Sequence, residues 1–242
     1  RATTVRRVPA QITSLNDAQA RPRKLAIGTF DGVHRGHRSV IEGADTVVTF
    51  DPHPTALLRP ELAPPLLTTL ARKAQLVGEL GVEELIVIDF TAEFAAQEPQ
   101  QFIDSVVVDQ LSAESVSVGT NFHFGRRAVG SPKLLADDGR FRTRVNPLLE
   151  YEGETVSSSL IRTLIAAGNV KRASELLAAP FRVSGTVQHG DARGRELGFP
   201  TANLAPQTGL AIPGDGVYAA LANGTPAAVN VGRRPTFEDD GI

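Results

Sequence analysis

The stretch from Gly28 to His37 narrows the possible folds more than any other part of this chain. An apolar run, Leu25, Ala26 and Ile27, breaks into Gly28, Thr29, Phe30, Asp31 and Gly32 and continues as Val33-His34-Arg35-Gly36-His37. That order predicts a strand, a tight turn and a helix, the repeating step of a sheet with helices packed on it. The turn is also where chemistry is expected. The first N–H groups of a helix lack partners within it, and its aligned peptide dipoles leave a positive end, so phosphate is attracted there. Gly28, Gly32 and Gly36 allow a ligand to approach the backbone closely. His34 and His37 share one face of the first turn. Two imidazole donors in that place suit charge developing on phosphate oxygens. The residues read as a nucleoside triphosphate site; the plain alternative is two surface histidines after an ordinary turn. A zinc site drawing in His53 is a third reading, but zinc sites usually add Cys, Asp or Glu at recognisable spacing, and the chain has 0 Cys.

The segments that follow keep the same alternation. Residues 46–50, 84–90, 115–118 and 141–145 are short and rich in β-branched residues, as strands of a buried parallel sheet should be. Between them, Leu70, Ala74 and Val77 repeat at helical spacing, with threonines in front and Gly81 behind. Pro99 suits the first position of a helix carrying Phe102, Ile103, Val106 and Val107. Leu160, Leu164 and Ile165 form another stripe, closed by Gly168. We expect a doubly wound α/β domain over residues 1–180, with ligands beyond the carboxyl ends of its strands. After Pro180 the texture changes to strand-like runs at 181–187, 217–221 and 227–231, separated by glycine and proline turns. Residues 181–242 therefore read as an all-β domain, a barrel that is incomplete as it stands.

Charge and cysteine content narrow the partners. Lys+Arg 25 against Asp+Glu 27 gives a net charge of -2. Neither part of the chain shows a basic footprint, so no nucleic-acid partner is expected. No run approaches a membrane span, and the first residues lack the apolar core of a signal peptide. With 0 Cys the chain fits a reducing cytoplasm. Nothing in the sequence specifies an oligomer.

Four further segments bear on chemistry. Ser157, Ser158 and Ser159 precede Leu160-Ile161-Arg162; serines at a helix start cap it or hold phosphate, and Arg162 lies one turn on. Asp51-Pro52-His53-Pro54 follows a strand, and its prolines shape a loop at the ligand end of the sheet. Asn121, Phe122 and Phe124 also follow a strand, and the two rings either pack on a flat ligand or fill the core. In the second domain, Gly185 and Gly190 precede a loop with Gly198 and Pro200, and Thr201 and Asn203 are two apart in an extended segment, on one side of it. Those two oxygens suit Mg²⁺, and they are equally at home in a polar loop.

Together, the G-T-F-D-G-V-H-R-G-H run, T-F-D-P-H-P at 49–54, S-S-S-L-I-R at 157–162 and G-F-P-T-A-N at 198–203 resemble the bacterial bifunctional riboflavin kinase/FMN adenylyltransferases, in family order and over nearly the whole chain. The H-x-G-H element alone is shared with many nucleotidyltransferases; the combination is much narrower. The resemblance implies two steps. Riboflavin and ATP give FMN and ADP in the second domain, and FMN and ATP give FAD and pyrophosphate in the first. It implies catalytic roles for His34, His37 and Arg162, and ATP contacts from the Gly28 turn (Gly28, Thr29, Phe30, Asp31, Gly32, Gly36) and from Ser157, Ser158 and Ser159. It places flavin contacts at Pro52, His53, Pro54, Asn121, Phe122 and Phe124, a kinase site at Gly185, Gly190, Gly198 and Pro200, and Mg²⁺ at Thr201 and Asn203. Many relatives have Asp where Asn121 stands, so no role for a carboxylate carries over there. Two other readings stay open: a nucleotidyltransferase with a different acceptor, and a non-catalytic flavin- or nucleotide-binding regulator on the same fold.

Residues 38–45 look too few to finish a helix and return to the next strand, since a parallel crossover needs a dozen or more residues. Met is absent altogether. In the family, the kinase domain runs on through more strands to a catalytic glutamate, which this chain would carry beyond Ile242. The protein as made is therefore expected to be longer than the 242 residues. Intact mass spectrometry should read above 25.7 kDa, and a polypeptide ending at Ile242 should keep adenylyl transfer without kinase activity.

Overall fold

A computed structural model describes residues 8–188 and 201–232. The chain divides into two compact units, Arg1–Ser158 and Ser159–Ile242.

The first unit is built on six parallel strands, β1 (Gln11–Ser14), β2 (Arg23–Ile27), β3 (Thr46–Asp51), β4 (Glu84–Asp89), β5 (Ala113–Gly119) and β6 (Arg142–Asn146). Their spatial order is β1-β4-β3-β2-β5-β6. From β2 the chain steps outward through β3 to β4, then returns to the other side of β2 for β5 and β6. The order therefore reverses at β2, and a crevice opens beyond its carboxyl end, where Gly28 stands.

Both faces of the sheet are covered, which explains its apolar strands. Side chains alternate across a strand. Leu25, Ile27, Val48, Ile86, Ile88, Val116 and Val118 share one core, and Ala26, Val47 and Leu85 belong to the other. The second core is closed by α1 (Arg35–Ile41) through Val40 and Ile41 and, beyond the short α2 (Pro54–Leu58), by α3 (Leu70–Glu79) through Ala74, Leu76 and Val77. On the first face, α4 (Ala92–Ala95) and α5 (Pro99–Gln101) lead into a π-helical stretch, Phe102–Gln110, which packs there with α6 (Pro132–Ala136). A hairpin of β7 (Glu150–Tyr151) and β8 (Glu154–Thr155) ends the unit. The expected doubly wound α/β sheet is present, with β1 as an additional parallel edge strand.

The connection that looked too short closes. The turn of residues 28–34 and the residues after the helix share the crossing with α1, and β2 and β3 pair in parallel. Seven residues make a marginal helix on their own, so its last carbonyls matter. Arg144 on β6 donates to the carbonyls of Ser39, Val40 and Glu42, placing a cation at the negative end of the helix. Ser117 of β5 donates to the Val40 carbonyl at 2.6 Å.

In the second unit, α7 (Ser158–Ala166) and α8 (Val170–Leu177) precede two antiparallel ladders. One joins β9 (Gly185–Gln188) to β10 (Asn203–Pro206), the other β11 (Gly216–Ala222) to β12 (Thr225–Val231). Asn223 and Gly224, with φ of 50° and 91°, form the two-residue hairpin turn that an Asn-Gly pair favours. The Gly214 N–H donates to the Ile165 carbonyl at 3.1 Å and the Tyr218 hydroxyl to the Gly214 carbonyl at 2.5 Å, tying α7 to the entry of β11. The strand expected at 181–187 is shorter than its apolar pattern suggested. Among the described residues both ladders are antiparallel, as the all-β reading expected, and they do not close a barrel.

Replacing Arg144 by Met should destabilise the first unit by about 1–2 kcal/mol, because several carbonyls at the end of α1 lose their donor. Arg142→Met on the same strand should stay within roughly 0.5 kcal/mol. Urea unfolding of the two variants checks this.

Candidate active site

The Gly28 turn is held in an unusual backbone. Phe30 and Val33 have φ of 45° and 44°, a left-handed conformation that side chains rarely adopt, and Gly32 lies between them at 89°. What holds it is Asp31. Its carboxylate is buried and accepts from the N–H groups of Leu67 and Thr68, at 2.9 and 3.1 Å, and from the Thr68 hydroxyl. The same hydroxyl accepts from the Gly32 N–H. The Asp31 carboxylate thus binds the turn to the segment entering α3. The carbonyl of the same residue accepts from the Ser158 hydroxyl at 2.9 Å, which brings Ser158 to the turn.

His34 is the N-cap of α1, and its Nδ1 accepts from the His37 N–H at 3.2 Å. An accepting Nδ1 carries no proton, so the neutral ring carries it on Nε2. The His37 ring stacks on His34, 3.5 Å between centroids and 18° from parallel, and meets the edge of Phe30. The two imidazoles therefore share an orientation, as the spacing implied. Two of the glycines also have a packing role. A Cβ at Gly36 would lie 3.3 Å from the His34 ring, and one at Gly28 would lie 3.1 Å from the Phe30 ring. They make room for the site's own side chains. α1 is only seven residues long, and the His37 N–H in its first turn is already capped by the His34 ring.

Next to the turn lies a shallow cleft of about 350 Å³, counting the space at its open mouth, lined among others by Thr29, Phe50, Asp51, His53 and Lys73. His53 caps α2 as His34 caps α1, its Nδ1 accepting from the Thr55 N–H at 3.2 Å, with Pro54 at the first helical position. Asp51 and Pro52 are joined by a cis peptide. The expected loop thus borders the cleft. On the far side of β2, Asn121 is exposed, Phe122 half-buried and Phe124 buried. Phe124 meets Phe102 and Phe122 within a chain of rings that also includes Phe50, Phe90 and Phe94. Of the two uses left open for these rings, Phe124 fills core.

Lys73 on α3 is a site residue that motif spacing did not single out. Its ammonium is buried and donates to the Thr29 carbonyl at 2.6 Å and the Thr49 hydroxyl at 2.9 Å. Burial lowers its pKa from 10.5 to about 8, against the opposing pull of Asp31 and Asp51. The charged form therefore opposes folding by roughly 3 kcal/mol. Between about pH 8 and 10.5 the unfolded chain holds this proton and the folded one does not, so this contribution raises stability as pH climbs through that window. The signal was present in the sequence: Lys73 falls inside the stripe Leu70, Ala74, Val77, where a charge does not belong.

Ser157 and Arg162 are half-buried and Ser159 is exposed. In the second unit, Gly185 starts β9, and Thr201 and Asn203 are exposed at the start of the partner strand. Gly190, Gly198 and Pro200 lie outside the described residues. Among the described residues no group of three or more His, Asp or Glu side chains is placed to hold a metal ion. Thr201 and Asn203 offer neutral hard oxygens, a donor set that suits Mg²⁺ when phosphates supply the negative charge.

A family model described as FAD synthetase matches residues 16–160, and one described as riboflavin kinase matches residues 177–241. The curated bifunctional riboflavin kinase/FMN adenylyltransferase of Listeria monocytogenes is 37% identical over 235 residues, covering 89% of this chain and 74% of that protein. The Escherichia coli K12 protein of the same name is 36% identical over 243 residues, covering 93% and 77%. A solved structure from Streptococcus pneumoniae, described as a macrolide-efflux protein, superposes with a TM-score of 0.82 at 30% identity, covering 93% of this chain and 80% of that one. No helix among the described residues is long and apolar enough to cross a membrane. With both family models matched in tandem and relatives aligned over most of their length, this chain belongs to the bifunctional riboflavin kinase/FMN adenylyltransferase family.

Proposed function

We infer that the protein makes FAD from riboflavin in two ATP-dependent steps, phosphorylation to FMN and then adenylyl transfer to FMN. The stacked His34–His37 pair at the reversal point of a parallel sheet carries the reading of the second step. In that step an FMN phosphate oxygen attacks the α-phosphorus of ATP as the bond to the β-phosphate oxygen breaks and pyrophosphate leaves. The nucleophile is already ionised, so the protein's task is alignment and charge stabilisation.

The residues divide that task. His34 and His37 donate to the transferring phosphoryl group. The Gly28 turn and Ser157, Ser158 and Ser159 cradle the triphosphate, and the family motif assigns the leaving pyrophosphate to Arg162. Pro52, His53 and Pro54 take the flavin side, joined by Asn121 and Phe122. Phe124 supports Phe122 from the core. In the kinase step the riboflavin hydroxyl attacks the γ-phosphorus as the bond to the β-phosphate oxygen breaks, ADP leaving and the hydroxyl proton passing to water; Gly185, Gly190, Gly198 and Pro200 are assigned to the kinase site, and Thr201 and Asn203 would hold Mg²⁺. The ion, when bound, neutralises phosphate charge.

We assign adenylyl transfer to residues 1–180 and the kinase to 181–242. The compact units meet earlier, at Ser158 and Ser159, while the second family model begins at residue 177. The substrates are small molecules, and the near-neutral charge and lack of Cys support a cytoplasmic protein without a nucleic-acid or membrane partner.

Four substitutions test the site. His37→Ala should lower FAD formation by about 100-fold or more while riboflavin phosphorylation by the full-length enzyme stays nearly unchanged; equal loss of both overturns the two-site assignment. His34→Asn should keep the helix cap, holding stability within roughly 0.5 kcal/mol, whereas His34→Ala should lose about 1 kcal/mol. Both should lose FAD formation, which separates the capping role from the chemical one. Arg162→Ala should weaken ATP binding more than FMN binding in calorimetry.

A further inference from the structure

Lys73 joins two loops at the edge of the cleft. Its Nζ reaches the Thr29 carbonyl at the root of the phosphate turn and the Thr49 hydroxyl at the end of β3, two residues before Asp51 opens the His53 loop. Thr49 closes the triangle by donating to the Thr29 carbonyl at 3.0 Å. An apolar side chain would leave that last bond in place, so the fold does not require the charge to satisfy either threonine. A charge that burial disfavours and packing does not need calls for another explanation.

We propose that Lys73 is a positioning residue for adenylyl transfer, its buried ammonium fixing the phosphate turn and the His53 loop in register so that the triphosphate and the flavin phosphate meet in line. The inference rests on the functional reading above. A cation beneath a cleft proposed to receive a triphosphate and a phosphate monoester also lowers their mutual repulsion, a benefit absent from the free protein. The charged groups facing it are Asp31 from the turn and Asp51 from the end of β3, with His53 across the cleft. On its own helix, Arg72 turns away to Gln75 and Glu79.

Lys73→Met and Lys73→Arg, in the full-length enzyme, give the test. Lys73→Met should raise the melting temperature at pH 7 by about 2–5 °C, and the gap over wild type should narrow towards pH 10. Its kcat for FAD formation should fall about 10-fold or more, with riboflavin phosphorylation within roughly 2-fold. Lys73→Arg should recover part of the FAD activity. The wild-type kcat/KM for FAD formation should decline as Lys73 loses its proton near pH 8, and that limb should be missing from Lys73→Met. Unchanged FAD formation in Lys73→Met, or a melting temperature that falls together with activity and is not restored by Lys73→Arg, overturns the inference. Wild-type enzyme that forms no FAD from FMN and ATP overturns the functional reading, and this inference with it.

Discussion

Burial of the Asp31 carboxylate is the interaction on which the site depends. An ionised carboxylate removed from water is costly unless its oxygens are satisfied, and here two backbone N–H groups and a hydroxyl do so. Because the donors belong to Leu67 and Thr68, satisfying the charge forces the residues entering α3 against the turn after β2. That enforced neighbourhood puts Lys73 under Thr29. The left-handed backbone at Phe30 and Val33 is sustained by the same contacts, since strain of this kind persists only where the surroundings over-determine it.

Two histidines at the borders of the site do the same local work. His34 and His53 each cap a short helix through Nδ1, and each is thereby fixed in ring position and tautomer before any substrate arrives. Preorganisation of this sort matters for phosphoryl chemistry, where the enzyme aligns and neutralises more than it reacts. The cap of a seven-residue helix and the Arg144 donors at its other end show why such a short element holds still.

Much of this was legible in the sequence, for identifiable reasons. Strands covered on both faces are continuously apolar, so β3 and β4 stood out, whereas Gln11–Ser14 is short and mostly exposed and gave no pattern. The π-helical winding of Phe102–Gln110 was read as ordinary helix because a run this apolar does not reveal its period. The histidine pair was readable from spacing. The packing of Gly36 against the His34 ring was not, since it depends on where that ring lies. The structural bonds of Asp31 were not legible, because they are to residues far along the chain and no local pattern encodes them. Lys73 was visible as a charge within an apolar stripe, and its meaning needed the Thr29 and Thr49 partners.

The buried ammonium has a consequence for how sequences of this kind diverge. Most interior positions drift among side chains of similar volume because each alternative serves the fold about equally well. Position 73 is different in kind, since uncharged replacements of similar shape are expected to leave the protein firmer than it is now. Random change therefore runs towards losing the lysine, and only selection on turnover opposes it. A lineage in which adenylyl transfer had ceased to matter would shed Lys73 early, while Asp31 and the strands around it persisted for the sake of folding.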